Sequence, residues 1–382
     1  MTCRTRIALA ALVPLLWAAS PAQAQDTKML TITNSNQNAG LAAAAYWTPE
    51  RFKAARPLPL PQAAPGAASL QTLPQPLAGS VPASGNPRAP TLRTPPAPLQ
   101  LFTPVNSAAL NADLATPNAV GTFGAHYTST RVFPMFSGLA SPFSADRAYP
   151  YITVGKLFFS INGSPFVCSA SVIQHRVVAT AGHCIHSGTT QGFHSNWVFV
   201  PAFRDGTAPL LAWNWTAAGV TSTWATGGGT VPNAADYGMI TFADQPIGST
   251  RYALGDITGW LGWQTLSLAA NHTSKLGYPC NLDSCQKMQD VTSSAFRTVA
   301  PNNVEYGSDA RGGSSGGPWV QNFQVLQSGG GTGMNAGSNR VVGVTSYGYV
   351  SADPKVQGAS IPDTRWVNLL QTMCGIATGN CL

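Results

Sequence analysis

From about Tyr149 onward the chain is a succession of short apolar runs broken by Gly, Pro, Asn and Ser. Tyr151–Phe159 (YITVGKLFF), Cys168–Ile173, Arg176–Thr180, Trp197–Val200, Tyr237–Phe242 and Arg340–Ser346 are β-branched or aromatic stretches with no helical alternation between them. Many short strands at such spacing predict an all-β barrel or sandwich. One helix is predicted, at the end of the chain. Trp366, Leu369, Leu370 and Met373 fall at i, i+3, i+4 and i+7, and Asp363 or Thr364 can cap the helix after Pro362. The 234 residues from 149 to 382 suffice for one large core or two adjoining barrels.

The pattern before residue 149 is different. Arg4 and Arg6 precede an apolar run, Ile7 to Ala19, and Ala22-Gln23-Ala24 is a small-residue cleavage signal, so residues 1–24 read as a secretory signal peptide. The run is too short to span a bilayer, and no later segment is long enough, so no membrane span is expected. Thirteen of the 30 prolines lie between Pro57 and Pro104. Each removes a donor and fixes φ, which excludes helices and central strands there. Residues 25–148 are therefore expected to be a Pro/Ala-rich propeptide or linker, extended or disordered, ahead of a catalytic domain at 149–382.

Composition narrows the class. Cys3 leaves with the signal, and six cysteines remain in an oxidising compartment. Pairing of sequential neighbours gives Cys168–Cys184, Cys280–Cys285 and Cys374–Cys381. A zinc reading of His183, Cys184, His186 and His194 is set aside because Cys184 is better used in a bridge; no metal and no cofactor are expected. Of the net charge of +7, residues 149–382 hold only +1, from 11 Lys+Arg against 10 Asp+Glu. No basic stripe with interleaved aromatics accompanies it, so nucleic acid is not an expected partner.

The chemistry-bearing residues are spread over three segments. Gly312-Gly313-Ser314-Ser315-Gly316-Gly317-Pro318 suits a serine on a tight turn, with the amides of Gly313 and Ser315 aimed at one spot as an oxyanion hole requires. A serine needs a base. His183 follows the apolar strand Val177–Thr180 through a small-residue turn, and Cys184 can tie that turn back to Cys168. His126, His175, His186, His194 and His272 lack such a setting and are expected to be ordinary surface histidines. Asp236, where Asn233-Ala234-Ala235 enters the strand Tyr237–Ile240, is the candidate orienter of the imidazole. Asp205 and Asp244 sit in polar turns, and Asp256 is a weaker competitor. Gly313-Ser314-Ser315-Gly316-Gly317 also fits the nucleophile elbow of the α/β-hydrolases, but that fold needs a histidine after the serine and the last one here is His272. A subtilisin-type order fails as well, which leaves His183, Asp236, Ser315.

With that order on an all-β chain, residues 149–373 resemble the chymotrypsin-like (trypsin-fold) serine proteases. The resemblance is to the secreted bacterial and fungal branch that includes the V8-like glutamyl endopeptidases. Thr180-Ala181-Gly182-His183-Cys184, the Cys168–Cys184 spacing, Asp236-Tyr237-Gly238-Met239-Ile240, Ser314-Ser315-Gly316-Gly317-Pro318 and Ser346-Tyr347-Gly348 carry it. The resemblance implies two antiparallel β-barrels with a C-terminal helix and endopeptidase activity through an acyl-enzyme. In it Ser315 is the nucleophile, His183 the base then acid, Asp236 the orienter, and Gly313 and Ser315 form the oxyanion hole. Substrate backbone would pair with Ser346, Tyr347 and Gly348. It further implies a secreted zymogen acting as a monomer on protein or peptide substrates.

The chain departs from the family at three positions. Ser314 replaces the aspartate that pairs with a freed N-terminus in the animal digestive members. Arg311 stands where those members have a disulfide cysteine. Thr345 occupies the place of a histidine in the glutamyl-specific relatives. Asp309, six residues before Ser315, matches the position that selects Arg and Lys in trypsin, or is an ordinary turn acid. The other functional classes open to the sequence are an esterase or amidase using the same triad and a non-catalytic binding protein on this fold. Arg131 and Arg147 are expected processing sites.

Overall fold

Two antiparallel sheets carry the chain from residue 154 onward. The first holds β1 (Val154–Ile161), β2 (Ser164–Gln174), β3 (Val177–Thr180), β4 (Ser195–Pro201), β5 (Trp213–Thr221) and β6 (Gly238–Phe242), adjacent in the order β5-β6-β3-β2-β1-β4. Phe199 and Val198 of β4 pair back to Trp213 and Asn214 of β5, which closes the six strands into a barrel. All but the last residue of β1 are buried, so this strand reads as a continuous apolar run rather than an alternating one.

The second sheet holds β7 (His272–Gly277), β8 (Gln289–Val299), β9 (Asn303–Gly307), β10 (Pro318–Gln321), β11 (Arg340–Val344), β12 (Tyr347–Gly348) and β13 (Val356–Ser360), in the order β12-β13-β9-β8-β7-β10-β11. β11 and β12 are halves of one run broken at Thr345–Ser346. One half pairs with β10 and the other with β13, so the sheet rolls into a second barrel through the break. The break has a cause: Thr345 donates to Gly317 O (2.9 Å) and accepts from Gly316 N (2.8 Å), spending its backbone on the loop of Ser315.

The computed structural model describes residues 28–34, 43, 45–63, 72–92, 94–103, 125–132, 145–324, 335–349 and 355–382. The expected signal at 1–24, with Cys3, lies outside the described residues. Among them no helix is long and apolar enough to cross a membrane. Cys168–Cys184, Cys280–Cys285 and Cys374–Cys381 are paired.

Between Pro57 and Pro104 the described elements are two-residue strands at sheet margins, as the prolines require: Arg56–Pro57 beside β2, Ser84–Gly85 beside Gly262–Gln264, and Leu99–Gln100 beside Thr207–Ala208. Of the two states expected, extended or disordered, the extended one describes these residues, which are laid against the barrels; residues 64–71 and 93 lie outside the described residues. Met29–Thr33 adds a strand to β5, and Thr128–Arg131 adds one to β8. A short helix, Pro49–Ala54, capped by Thr48, buries Phe52 in a stack with Trp47 (4.8 Å) and edge-on to Phe158 of β1 (5.0 Å). A proline-rich chain cannot build a sheet interior, but its carbonyls still accept from an exposed edge and its aliphatic residues still bury surface.

The terminal helix α1 (Thr364–Gly375) is the one predicted. Trp366, Leu369, Leu370 and Met373 form its buried face, and Asp363 caps it by accepting from Arg365 N (2.9 Å). Asp363 has no exposed surface and also takes Tyr237 Oη (3.2 Å), Leu77 N (2.9 Å) and the Arg365 guanidinium (2.6 Å). It ties the helix to the residue next to Asp236. Removing one side of a buried ion pair costs roughly 3–5 kcal/mol, so Asp363→Ala should lower the unfolding free energy by that amount, read as a lower denaturant midpoint at constant slope. A loss of only about 1 kcal/mol, the value of an ordinary cap, would show that the buried network contributes little.

Candidate active site

His183 leaves β3 on a one-turn 3-10 helix, Gly182–Cys184, fixed by the Cys168 disulfide and by Trp197 Nε1 donating to Cys184 O (3.1 Å). Asp236 enters β6 with no exposed surface. Its carboxylate accepts three hydrogen bonds: His183 N on Oδ1 (2.9 Å), His183 Nδ1 on Oδ2 (2.8 Å) and Ser346 Oγ on Oδ2 (2.5 Å). An imidazole whose Nδ1–H is committed to a carboxylate has its other nitrogen as an acceptor. His183 Nε2 is buried and has no partner among the described residues.

Ser315 sits on the loop between β9 and β10. Its carbonyl accepts from Ser169 N (2.7 Å) of β2. The next residue, Gly316, has φ +76°, and a Cβ there would lie 2.0 Å from Thr180 Oγ1 and 2.7 Å from Ala181 N. Only glycine lets the serine loop press onto the segment that delivers His183. Ser315 Oγ is likewise buried and unpartnered. Buried polar atoms are nearly always satisfied, and here two that are not lie on adjoining segments, one able to donate and one to accept.

The remaining candidates surround this pair. Ser346, which binds Asp236, is followed by Tyr347 and Gly348. Gly348 donates to Pro61 O (3.2 Å), and Gln62 forms a parallel bridge to it. Arg311, at the position of the disulfide cysteine, donates from its guanidinium to Tyr349 O. Asp309 is half-buried; its carbonyl accepts from Asn281 Nδ2 (3.0 Å) and its Oδ1 has no hydrogen-bond partner among the described residues.

The sequence reading passed over two groups and misplaced a third. Glu305 of β9 is fully buried, accepting from Tyr347 Oη (3.1 Å), Tyr349 Oη (2.7 Å) and Arg297 Nε (2.6 Å). It anchors the Tyr347–Tyr349 strand from below; burial and the neighbouring carboxylate push both phenols up. Its signal was available, since it is the sole glutamate of residues 149–382 and lies between Val304 and Tyr306. Gln357 is the second, on β13. The third is His194, and here the expectation fails: His175, His186 and His194 are buried, not surface, residues. His175 joins Asp256 Oδ1 (3.1 Å) to Gly379 O (2.9 Å), and His186 Nδ1 accepts from Gly188 N (3.0 Å).

His194 Nε2 donates to His183 O (3.0 Å), and its ring stacks on Phe159. Burial pulls its pKa down to about 4. The unfolded chain, with an ordinary value near 6.5, then binds the extra proton first, so stability present above about pH 6.5 is lost as pH falls toward 4. His194→Gln should remove that part of the slope in denaturant unfolding between pH 4 and 7. An unchanged slope would refute the assignment.

No family model matches the chain. It is 29% identical over 204 residues to a glutamyl endopeptidase of Bacillus licheniformis, covering 52% of this chain and 58% of the relative. It is 23% identical over 207 residues to a Bacillus subtilis protein named extracellular metalloprotease, covering 51% of this chain and 62% of that one. The chain thus spans little more than half the length of either. The metal implied by the second name does not fit the donors. Among the described residues the cluster of three possible ligands is Cys168, His183 and Cys184, and both sulfurs are spent in a disulfide rather than available as thiolates. Similar solved structures include a protease from Arthrobacter nicotinovorans, with 25% identity over 55% of this chain and 90% of that one, TM-score 0.45. A thermostable serine protease from an extremophile has 27% identity over 55% and 91%, TM-score 0.45. A Glu endopeptidase has 19% identity over 66% and 97%, TM-score 0.46. The chain is thus similar over 204 residues to a glutamyl endopeptidase, and it carries a closed six-stranded barrel beside a second rolled sheet.

Proposed function

We propose that the chain is a secreted serine endopeptidase, made as a zymogen. The observation that carries the reading is the His183 Nδ1–Asp236 Oδ2 bond of 2.8 Å beside two buried orphans, His183 Nε2 and Ser315 Oγ. Ser315 Oγ attacks the peptide carbonyl while its proton passes to His183 Nε2. Asp236 holds the tautomer and stabilises the imidazolium. The oxyanion takes the N–H groups of Gly313 and Ser315. Collapse of the tetrahedral species expels the amine, which takes the proton from His183. Water, deprotonated by the same nitrogen, then splits the acyl ester and restores Ser315.

The edge at Ser346–Gly348 favours a peptide over a simple ester, because it offers backbone groups for main-chain pairing. Asp309, with an unpartnered carboxylate oxygen, supports cleavage after Arg or Lys. A fluorophosphonate probe should label Ser315. Ser315→Ala should retain at most the roughly 10³–10⁴-fold acceleration that survives loss of a triad residue. A digest of denatured casein read by mass spectrometry should show cuts after basic residues; cuts after Glu or scattered cuts would refute the Asp309 assignment alone. Labelling without proteolysis would favour an esterase, and absence of labelling would favour a binding protein.

The zymogen reading rests on residues 56–63. At one end Arg56 and Pro57 lie beside Phe166 and Val167 of β2, and Leu58 N donates to Val167 O (3.1 Å). At the other end Pro61 and Gln62 hold Gly348. The segment therefore bridges the two barrels between the strand that touches Ser315 and the edge meant for substrate. A substrate and this segment cannot share Gly348 N. Arg147 is exposed, whereas Arg131 is held in a ladder with β8 and paired with Asp283, which favours processing at Arg147. Limited proteolysis that releases residues 56–63 should raise casein turnover, and a synthetic peptide of those residues should inhibit the product competitively. Equal activity before and after release would overturn the zymogen reading.

A further inference from the structure

We propose that Gln357 is a positioning residue for this reaction, setting the loop of Ser315 with a neutral amide where the animal digestive enzymes use an ion pair to a freed N-terminus. The inference rests on the reading of Ser315 as nucleophile. Gln357, on β13, is 1% exposed. Its Oε1 accepts from Ser308 Oγ (2.8 Å), and its Nε2 donates to Ser314 Oγ (2.9 Å) and Ala310 O (3.2 Å). Ser314 Oγ donates onward to Arg311 O (2.6 Å). One side chain thus joins the two ends of the run 308–314.

The opposite face of the loop is pinned as well. Ser169 Oγ donates to Gly313 O (2.8 Å), and Cys280 N donates to Gly312 O (2.8 Å). In a trans peptide the carbonyl and the following N–H point in opposite directions. With Gly312 C=O turned to Cys280, Gly313 N–H faces the other way, the orientation needed to stabilise an oxyanion. Gly313 has φ +92°, which favours a glycine there.

A charged activation switch has no seat at this point. Lys275, Ala310, Ser314, Thr345 and Gln357 border a small cavity beneath the loop. An ammonium group inserted there would meet Lys275 and find a hydroxyl in place of the aspartate. The loop's shape is set instead by hydrogen bonds already present in the uncut chain.

The test uses processed protein, with active sites counted by fluorophosphonate titration, and compares wild type with Gln357→Leu, Ser314→Ala and the double variant. Complete loss of an oxyanion donor costs roughly 10²–10³ in rate; displacement of the loop by Gln357→Leu should lower kcat per titrated site by about 10- to 100-fold. KM should stay within about twofold, since ground-state binding is spared. Ser314→Ala should lower kcat less, and the double variant should be no worse than Gln357→Leu, because both act through one amide. If Gln357→Leu fails to fold, Ser314→Ala carries the test by the same criterion. An unchanged kcat with only a lower melting temperature would overturn the inference. A wild type that does not react would overturn the endopeptidase reading, and the inference with it.

Discussion

A carboxylate with no exposed surface has to be fully hydrogen-bonded, and the placement of Asp236 is the constraint on which the rest of the structure depends. Taking such a group out of water costs several kcal/mol unless its oxygens find donors. Three donors come from two places far apart in sequence: the backbone and ring of His183, and the hydroxyl of Ser346. The first lies in the closed barrel and the second in the rolled sheet. Satisfying Asp236 therefore fixes the relation of the two barrels, the tautomer of the imidazole and the start of the Ser346–Gly348 edge at once. The anchoring extends outward, since Asp236 N donates to Ser360 Oγ (3.0 Å) and Tyr237 reaches Asp363 at the head of the last helix.

The same economy governs the second junction. Thr345 leaves its sheet to bind Gly316 and Gly317, and that departure both breaks β11 from β12 and frees Ser346 for Asp236. Chemistry and access are consequently held by different parts. The serine loop is shaped by Ser169, Cys280 and Gln357 within the barrels, while residues 61 and 62 pair with Gly348 from outside. Removing that pairing need not rearrange the loop, because the two share no hydrogen bond among those described.

Local order was legible wherever a residue's role is decided by its neighbours in sequence. The terminal helix follows from a 3.6-residue apolar stripe behind an Asp, and the strands from β-branched runs ended by turn residues. His183, Asp236 and Ser315 stood out because small residues lead into each, and their order eliminated other hydrolase folds. The misses are residues whose role is made by distant partners. Gln357 is a polar position in a strand, unremarkable until Ser308 and Ser314 come to it 43 to 49 residues away in sequence. His194 looked like a surface histidine because its turn is polar, yet it is drawn under Phe159 to hold the carbonyl of His183. Glu305 carried a signal that alternation alone could not interpret, since a buried acid is meaningful only with its phenols and arginine in view.

The proline-rich region was read as extended or disordered, and its docking on the barrels was not legible for a different reason. Proline rules out sheet interiors because it cannot donate, but docking on an edge needs only an acceptor. In residues 56–63 (RPLPLPQA) every second residue from 57 to 61 is proline. Pro61 accepts from Gly348 N, and Leu58 supplies a donor to Val167 O. Such a segment has already lost much of its backbone freedom before it docks, so ordering it costs less entropy than ordering an ordinary chain. Having few donors, it offers neighbouring chains little to pair with and makes only a handful of bonds of its own. A segment built this way costs little to order and cannot propagate the sheet. A low-complexity composition is what those requirements select.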